Sequence, residues 1–167
     1  ALAMDNRHKI HQTARSVIQR ATAQGRIIVT AESCTGGLVA ACLTDVAGSS
    51  AVLDRGLVTY SNQAKMDLLG VPLTTLDRFG AVSAETAAAM ADGALATAPA
   101  AHIAIAITGI AGPSGGSREK PVGLVYFGIA KRGIATKTAR HIFSGSRDDI
   151  RQISVDKALN LISNALE

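Results

Sequence analysis

The chain has 167 residues, 47% of them hydrophobic and 18% charged, with a formal net charge of +4. That balance is globular rather than disordered, and the length suits one domain, residues 1–167, burying about two thirds of the surface its unfolded form exposes. No apolar run approaches the roughly 20 residues that span a bilayer, so no membrane partner is expected.

In chain order, residues 8–23 place Ile10, Ala14, Val17, Ile18 and Ala21 on one face of a helix that Gly25 ends. Residues 26–31 read as a short buried strand, 33–37 as a turn and 38–46 as a small-residue-rich helix. A second strand at 53–60 leads to Ser61, which caps a helix over 62–69 that Gly70 and Pro72 break. Ser83 caps the alanine-rich helix 84–97, with Glu85 in its first turn where the helix dipole favours a negative charge. Residues 102–108 alternate into a strand, 109–121 form a glycine-rich loop and 122–131 make the next strand. A turn at Arg132-Gly133 gives a fifth strand near 136–143. Ser146, Asp148 and Asp149 open the last helix. There Ile150, Ile153, Lys157 and Leu161 share a side, and Ala158, Ile162 and Leu166 extend the apolar stripe. Helix–strand alternation followed by a tight strand–strand turn predicts an α/β fold, a three-layer α/β/α sandwich with a mixed sheet of about five strands.

Aromatic residues are only 3% of the chain and the basic residues are scattered. Stacking platforms for single-stranded nucleic acid are therefore missing, and no nucleic-acid partner is expected. A small phosphorylated substrate accounts for the positive charge. Cys34 and Cys42 are too few and too close for a disulfide framework, and no Cys/His group has zinc spacing. His8 and His11 share a helix without a third ligand, so neither metal nor cofactor is expected. The first residues include Asp5, Arg7, His8 and Lys9 rather than the apolar core of a signal peptide, and cytoplasm is the expected location.

Four segments offer chemistry. In Thr30-Ala31-Glu32-Ser33-Cys34-Thr35-Gly36-Gly37 a strand ends at a cluster of hydroxyls and a thiol, and two glycines lead into a helix. A nucleophile elbow has this form, with backbone N–H groups of the helix start facing the nucleophile. A plain capped turn has it too, and spacing does not choose among Ser33, Cys34 and Thr35. Lys65 follows Tyr60 by five residues and one helix start, so both can face one crevice. Lys65 is either a solvated surface lysine or, if desolvated, a base. Thr108-Gly109-Ile110-Ala111-Gly112-Pro113-Ser114-Gly115-Gly116-Ser117 presents backbone donors for a phosphate or ribose, or is a generic flexible loop. It lacks the GKS or GKT ending of a P-loop. Arg147, at the start of the last helix, either reaches a phosphate or pairs with Asp148 or Asp149.

Together these segments resemble the competence-damage-inducible CinA C-terminal domain family, whose characterised members are nicotinamide-nucleotide amidases. The shared blocks are Ala31-Glu32-Ser33-Cys34-Thr35-Gly36-Gly37, Asp45-Val46-Ala47-Gly48-Ser49-Ser50 and Val58-Thr59-Tyr60-Ser61-Asn62-Gln63-Ala64-Lys65. Further along stand Gly80-Ala81-Val82-Ser83, Gly109-Ile110-Ala111-Gly112-Pro113, Lys120-Pro121-Val122-Gly123, Phe143-Ser144-Gly145 and Arg147.

The resemblance implies Ser33 as nucleophile, Lys65 as its base and Tyr60 as an active-site partner. The substrate would then lie against Cys34, Thr35, Gly36, Thr108, Gly109, Gly112 and Arg147. It implies a metal-free hydrolysis of nicotinamide mononucleotide to nicotinate mononucleotide and ammonia, by a homodimer. In that scheme N–H groups near Thr35 and Gly36 hold the oxyanion, and Arg147 helps, as a like charge, to keep Lys65 neutral. Two alternatives are a catalytically silent nucleotide-binding module and a DNA-associated competence factor. Many relatives carry a larger N-terminal domain with a pyrophosphatase activity, which is not expected of this sequence.

Overall fold

A computed structural model describes residues 2–166; Ala1 and Glu167, the ends of the expected 1–167 domain, lie outside the described residues. The chain runs α1 (Leu2–Gln24), β1 (Ile28–Glu32), α2 (Leu38–Thr44), a 3-10 turn (Ser49–Ala51), β2 (Leu53–Val58) and α3 (Asn62–Leu69). It continues with α4 (Leu73–Phe79), α5 (Ala84–Thr97), β3 (Ile103–Gly109), β4 (Leu124–Lys131), β5 (Ile134–Ile142) and α6 (Arg147–Ala165). The five strands form one sheet in the order β2-β1-β3-β4-β5. β1 is parallel to both β2 and β3, while β3–β4 and β4–β5 are antiparallel, so the sheet is mixed as expected.

The strand sequences sort the layers. Side chains alternate across a strand, and β3 alternates isoleucine with alanine. Ile103, Ile105 and Ile107 join Val17, Leu43, Phe127, Ile150 and Leu159 in a core between the sheet and α1, α2 and α6. Ala104 and Ala106 point the other way, into a core with Leu69, Leu76, Met90, Ala91 and Ala94 of α3, α4 and α5. This is the three-layer α/β/α sandwich. The alanine side of the sheet lets α5 approach closely, and two glycines bring it closer still. A Cβ on Gly128 of β4 would lie 2.2 Å from the Ala87 carbonyl oxygen, and one on Gly93 of α5 would lie 1.9 Å from the Leu69 carbonyl oxygen of α3. α3 is thereby docked on α5, and α5 on the sheet.

Helix starts follow their capping residues. Ser61 Oγ accepts the Ala64 N–H at 3.0 Å, Ser83 Oγ accepts the Thr86 N–H at 3.1 Å, and Ser146 forms a capping box with Asp149.

Several boundaries differ from the sequence expectation. α1 begins before residue 8, because residues 4–9 are exposed and carry no apolar stripe to mark them. α2 stops at Thr44 and the second strand at Val58, short of the expected ends. After the break at Gly70 the chain makes a seven-residue helix, α4, that the sequence pattern did not announce. Only Leu76 of α4 is buried, so it has no periodic apolar face. On α6 the buried face is Ile150, Ser154, Val155, Ala158, Leu159 and Ile162. Ile153, Lys157 and Leu161 flank it and are half-buried. No helix among the described residues is long and apolar enough to cross a membrane.

Candidate active site

The C-terminal ends of the parallel strands converge. Ser33 follows β1 directly and its N–H donates to the Ile107 carbonyl of β3 at 2.9 Å, while the Thr59 N–H just beyond β2 donates to the Glu32 carbonyl at 2.9 Å. Open α/β sheets bind ligands at such carboxyl edges. Here a cleft of about 170 Å³ is lined by Ser33, Cys34, Tyr60, Lys65, Ala81, Val82, Thr108, Gly109, Ala111 and Arg147. It is smaller than most small-molecule sites, which run to roughly 300–1,000 Å³.

Lys65 lies in the first turn of α3, where Ser61 caps the helix, and its side chain runs inward until it is only 1% exposed. Its Nζ is 3.0 Å from Ser33 Oγ, 2.8 Å from the Thr59 carbonyl oxygen and 3.2 Å from the Tyr60 carbonyl oxygen. A neutral amine has two N–H donors and one lone pair. Lys65 Nζ donates to Ser33 Oγ and to both carbonyls, as an ammonium can; a neutral amine that keeps the two carbonyls can instead turn its lone pair to the Ser33 hydroxyl proton. Burial holds Lys65 down at about 8, because desolvation disfavours the ammonium form. Arg147, expected to contribute as a like charge, is not among the causes of this shift.

Ser33 and Cys34 are buried alike, at 7% and 6% exposure, and what separates them is that Ser33 Oγ meets Lys65 Nζ. The Cys34 side chain packs into the core with α2 and α6, and desolvation pushes its thiol up to about 11. A thiol at that value carries almost no thiolate near neutral pH, and the thiolate is the reactive form.

At the elbow the helix start does not face the nucleophile. The buried Glu32 carboxylate accepts the Val39 N–H at 2.9 Å, the Ala40 N–H at 3.2 Å and the Thr35 hydroxyl at 2.7 Å. The Gly36 N–H is also engaged, by the Ser33 carbonyl at 3.0 Å. The Thr35 N–H has no hydrogen-bond partner among the described residues. The backbone donors left free beside Ser33 are therefore those of the turn itself.

Tyr60 and Arg147 close the open side. Arg147 donates to the Gly112 carbonyl at 2.7 Å and to the Tyr60 hydroxyl at 3.1 Å, and so ties α6 to the glycine-rich loop and to the segment after β2. It pairs with neither Asp148 nor Asp149, the latter being occupied by Ser146. What Tyr60 offers Lys65 is its backbone carbonyl; its phenol bonds Arg147 instead. Thr108 and Gly109 line the cleft, with the Thr108 hydroxyl donating to the Ala81 carbonyl at 2.7 Å. Thr35, Gly36 and Gly112 are not part of the lining, and Thr35 and Gly112 adjoin the lining residues Cys34 and Ala111 in the chain.

The CinA C-terminal domain matches residues 10–166. The chain belongs to this family. It is 48% identical over 154 residues to the nicotinamide-nucleotide amidohydrolase PncC of Escherichia coli K12, covering 92% of this chain and 93% of that protein. Against the protein of the same name from Enterobacter agglomerans it is 49% identical over 143 residues, covering 86% and 87%. The crystal structure of the competence/damage inducible protein CihA from Agrobacterium tumefaciens superposes with a TM-score of 0.93 at 48% identity, covering 95% of this chain and 96% of that one.

Two residues of this CinA domain escape a reading of its sequence for chemistry. Glu32 lies inside the elbow motif but looks like any strand-end acid until its burial is seen. Arg151, on α6, donates from Nε to the Cys34 carbonyl at 3.1 Å and from Nη2 to the Thr35 carbonyl at 3.4 Å. Its only sequence signal is its position one helical turn after Arg147, which puts both on the same face.

Proposed function

We propose that this chain is a nicotinamide-nucleotide amidohydrolase, converting nicotinamide mononucleotide and water to nicotinate mononucleotide and ammonia through an acyl-enzyme on Ser33. The names of its relatives support the substrate, and one observation carries the chemistry: a buried lysine amine 3.0 Å from a serine hydroxyl that opens into a cleft.

Ser33 Oγ attacks the carboxamide carbon as its proton passes to neutral Lys65 Nζ. The carbonyl π electrons move to oxygen, and the turn's backbone N–H groups hold the resulting oxyanion. As the C–N bond breaks, Lys65 returns the proton to nitrogen, ammonia departs and the acyl ester remains. Water then attacks the ester carbon, giving one proton to Lys65, which passes it to Ser33 Oγ as the C–O bond breaks; the product leaves as the acid and loses its remaining proton to solvent, becoming nicotinate. Every proton transfer at the site can be handled by Lys65. Tyr60 and Arg147 wall the cleft, and Arg147 supplies the positive charge nearest its mouth for the substrate phosphate.

Ammonia release from nicotinamide mononucleotide by the wild type, and its loss in Ser33→Ala, tests this reading. No release from any pyridine nucleotide, with the protein folded, overturns it and favours a binding module.

A further inference from the structure

Arg151 has no part in the scheme above, yet it grips the two peptide groups that follow the nucleophile. Its Nε–H donates to the Cys34 carbonyl at 3.1 Å and its Nη2–H to the Thr35 carbonyl at 3.4 Å. In a trans peptide the C=O and N–H of one unit point in opposite directions. The unit whose carbonyl is Cys34's carries the N–H of Thr35. Holding that carbonyl against α6 therefore turns the Thr35 N–H away from α6. That N–H, like the Cys34 N–H before it, is without a backbone partner among the described residues, whereas the Ser33 and Gly36 N–H groups are bonded to the Ile107 and Ser33 carbonyls. Buried backbone donors are rarely left unmade, and an orphan beside a nucleophile is a place where a developing negative oxygen would be received.

We infer that Arg151 is a positioning residue that orients and polarises the Cys34–Thr35 peptide so that its Thr35 N–H becomes the oxyanion donor for chemistry at Ser33. A guanidinium at the carbonyl end of a peptide draws electron density from the amide and strengthens its N–H as a donor. The charge reaches the elbow: burial drives the Cys34 thiol up, and Arg151 pulls against that rise. Gly36 suits this arrangement, since its backbone takes φ +59°, which favours glycine, and Arg151 Nη2 lies in ordinary contact with it.

The inference rests on Ser33 as nucleophile, so its test includes a readout independent of the natural substrate. Wild type, Arg151→Ala and Arg151→Lys are compared for labelling of Ser33 by a serine-reactive fluorophosphonate, whose phosphoryl oxygen needs the same donor. Ammonia release from nicotinamide mononucleotide is followed in parallel, and melting curves establish which variants are folded. Arg151→Ala is expected to slow labelling and kcat by on the order of 10²–10³-fold with KM little changed. Millimolar guanidinium, far below denaturing concentrations, restores part of the loss. Arg151→Lys, which keeps one donor and the charge, falls between and serves if the alanine variant does not fold. Labelling and kcat equal to wild type in a folded variant overturn the inference, even if the melting temperature drops. So does a loss confined to KM, or one that guanidinium does not relieve. A wild type that labels at Ser33 but releases no ammonia overturns the substrate and leaves the labelling comparison to decide Arg151. A wild type inert to both overturns both.

Discussion

Lys65 Nζ lies nearer the carbonyl oxygen of Thr59, at 2.8 Å, than it does to Ser33 Oγ, at 3.0 Å. The base is thus moored to the backbone of the chain that precedes its own helix. That mooring takes an N–H and leaves the lone pair for serine only when the amine is neutral. On the proposed mechanism, activity follows deprotonation of Lys65, which burial places at about 8. The expected profile of kcat/KM rises about tenfold per pH unit below that value and levels off above it. A flat profile between pH 6 and 9 in the free enzyme removes Lys65 as the base.

The two neighbouring nucleophile candidates separate by substitution. Ser33→Ala is expected to abolish ammonia release, while Cys34→Ala retains most of kcat and loses about 1–2 kcal/mol of stability by emptying a small volume in the core. Mass spectrometry of enzyme quenched during turnover, with the acyl group found on Ser33, is the direct check. An acyl group on Cys34 reverses the assignment.

Lys65 also couples activity to stability. Its folded value, about 8, lies below the ordinary 10.5, so between those pH values the unfolded chain holds more protons than the folded one. Stability then rises with pH across that window, and below pH 8 the full penalty of charging a buried amine is present. Lys65→Met removes that penalty. It is expected to be inactive, yet more stable at pH 7 by on the order of 2 kcal/mol. Lys65→Arg keeps a proton it cannot give up and is expected to lose activity by roughly 10²–10⁴-fold without gaining stability. Thermal melts at pH 7 and pH 10 measure both, and a Lys65→Met protein less stable than wild type at pH 7 contradicts this account.

Arg147 joins Tyr60 and the loop carbonyl of Gly112, so its removal both loosens the wall and takes a positive charge from the mouth. Arg147→Ala is expected to raise KM for nicotinamide mononucleotide more than it lowers kcat, and to leave the turnover of free nicotinamide, which has no phosphate, unchanged. Tyr60→Phe, which keeps the carbonyl that Lys65 uses, is expected to cost less than about tenfold. Steady-state kinetics on the two substrates decides both.

Glu32 is the structural counterpart of the chemistry beside it. Glu32→Gln puts an NH2 donor against N–H donors at the start of α2, and is expected to lower stability by about 2–3 kcal/mol and to lower kcat through disorder at Ser33. Urea unfolding of the variant gives the first number, and a midpoint unchanged from wild type rules this role out.

The layers of the fold were legible because β3 alternates isoleucine with alanine and because serines stand at three helix starts, both local signals. α4 was not, since a helix with one buried side chain, Leu76, prints no period. At the site, the elbow and the lysine segment could be found as motifs. Their meeting at 3.0 Å depends on a parallel β1–β2 pairing between residues far apart in sequence. Pattern alone could not separate Ser33 from Cys34, because only the fold shows which of them meets Lys65 Nζ. The roles of Glu32 and Arg151 were invisible for a related reason: their partners are mostly backbone atoms, and backbone atoms leave no mark in a sequence.

The two close approaches of α5 resemble a tolerance chain in a machined assembly. Lys65 rides on α3, α3 rests on α5 at Gly93, and α5 rests on the sheet at Gly128, while Ser33 extends from that same sheet. Each joint leaves no room for a single methyl group, so any thickness added at either one is carried along the stack to the gap between amine and hydroxyl. The alignment of this dyad is thus gauged by two absent side chains, both remote in sequence from the atoms they align. A lysine on a loop would reach the serine and wander; here the spacing is machined into the body of the fold.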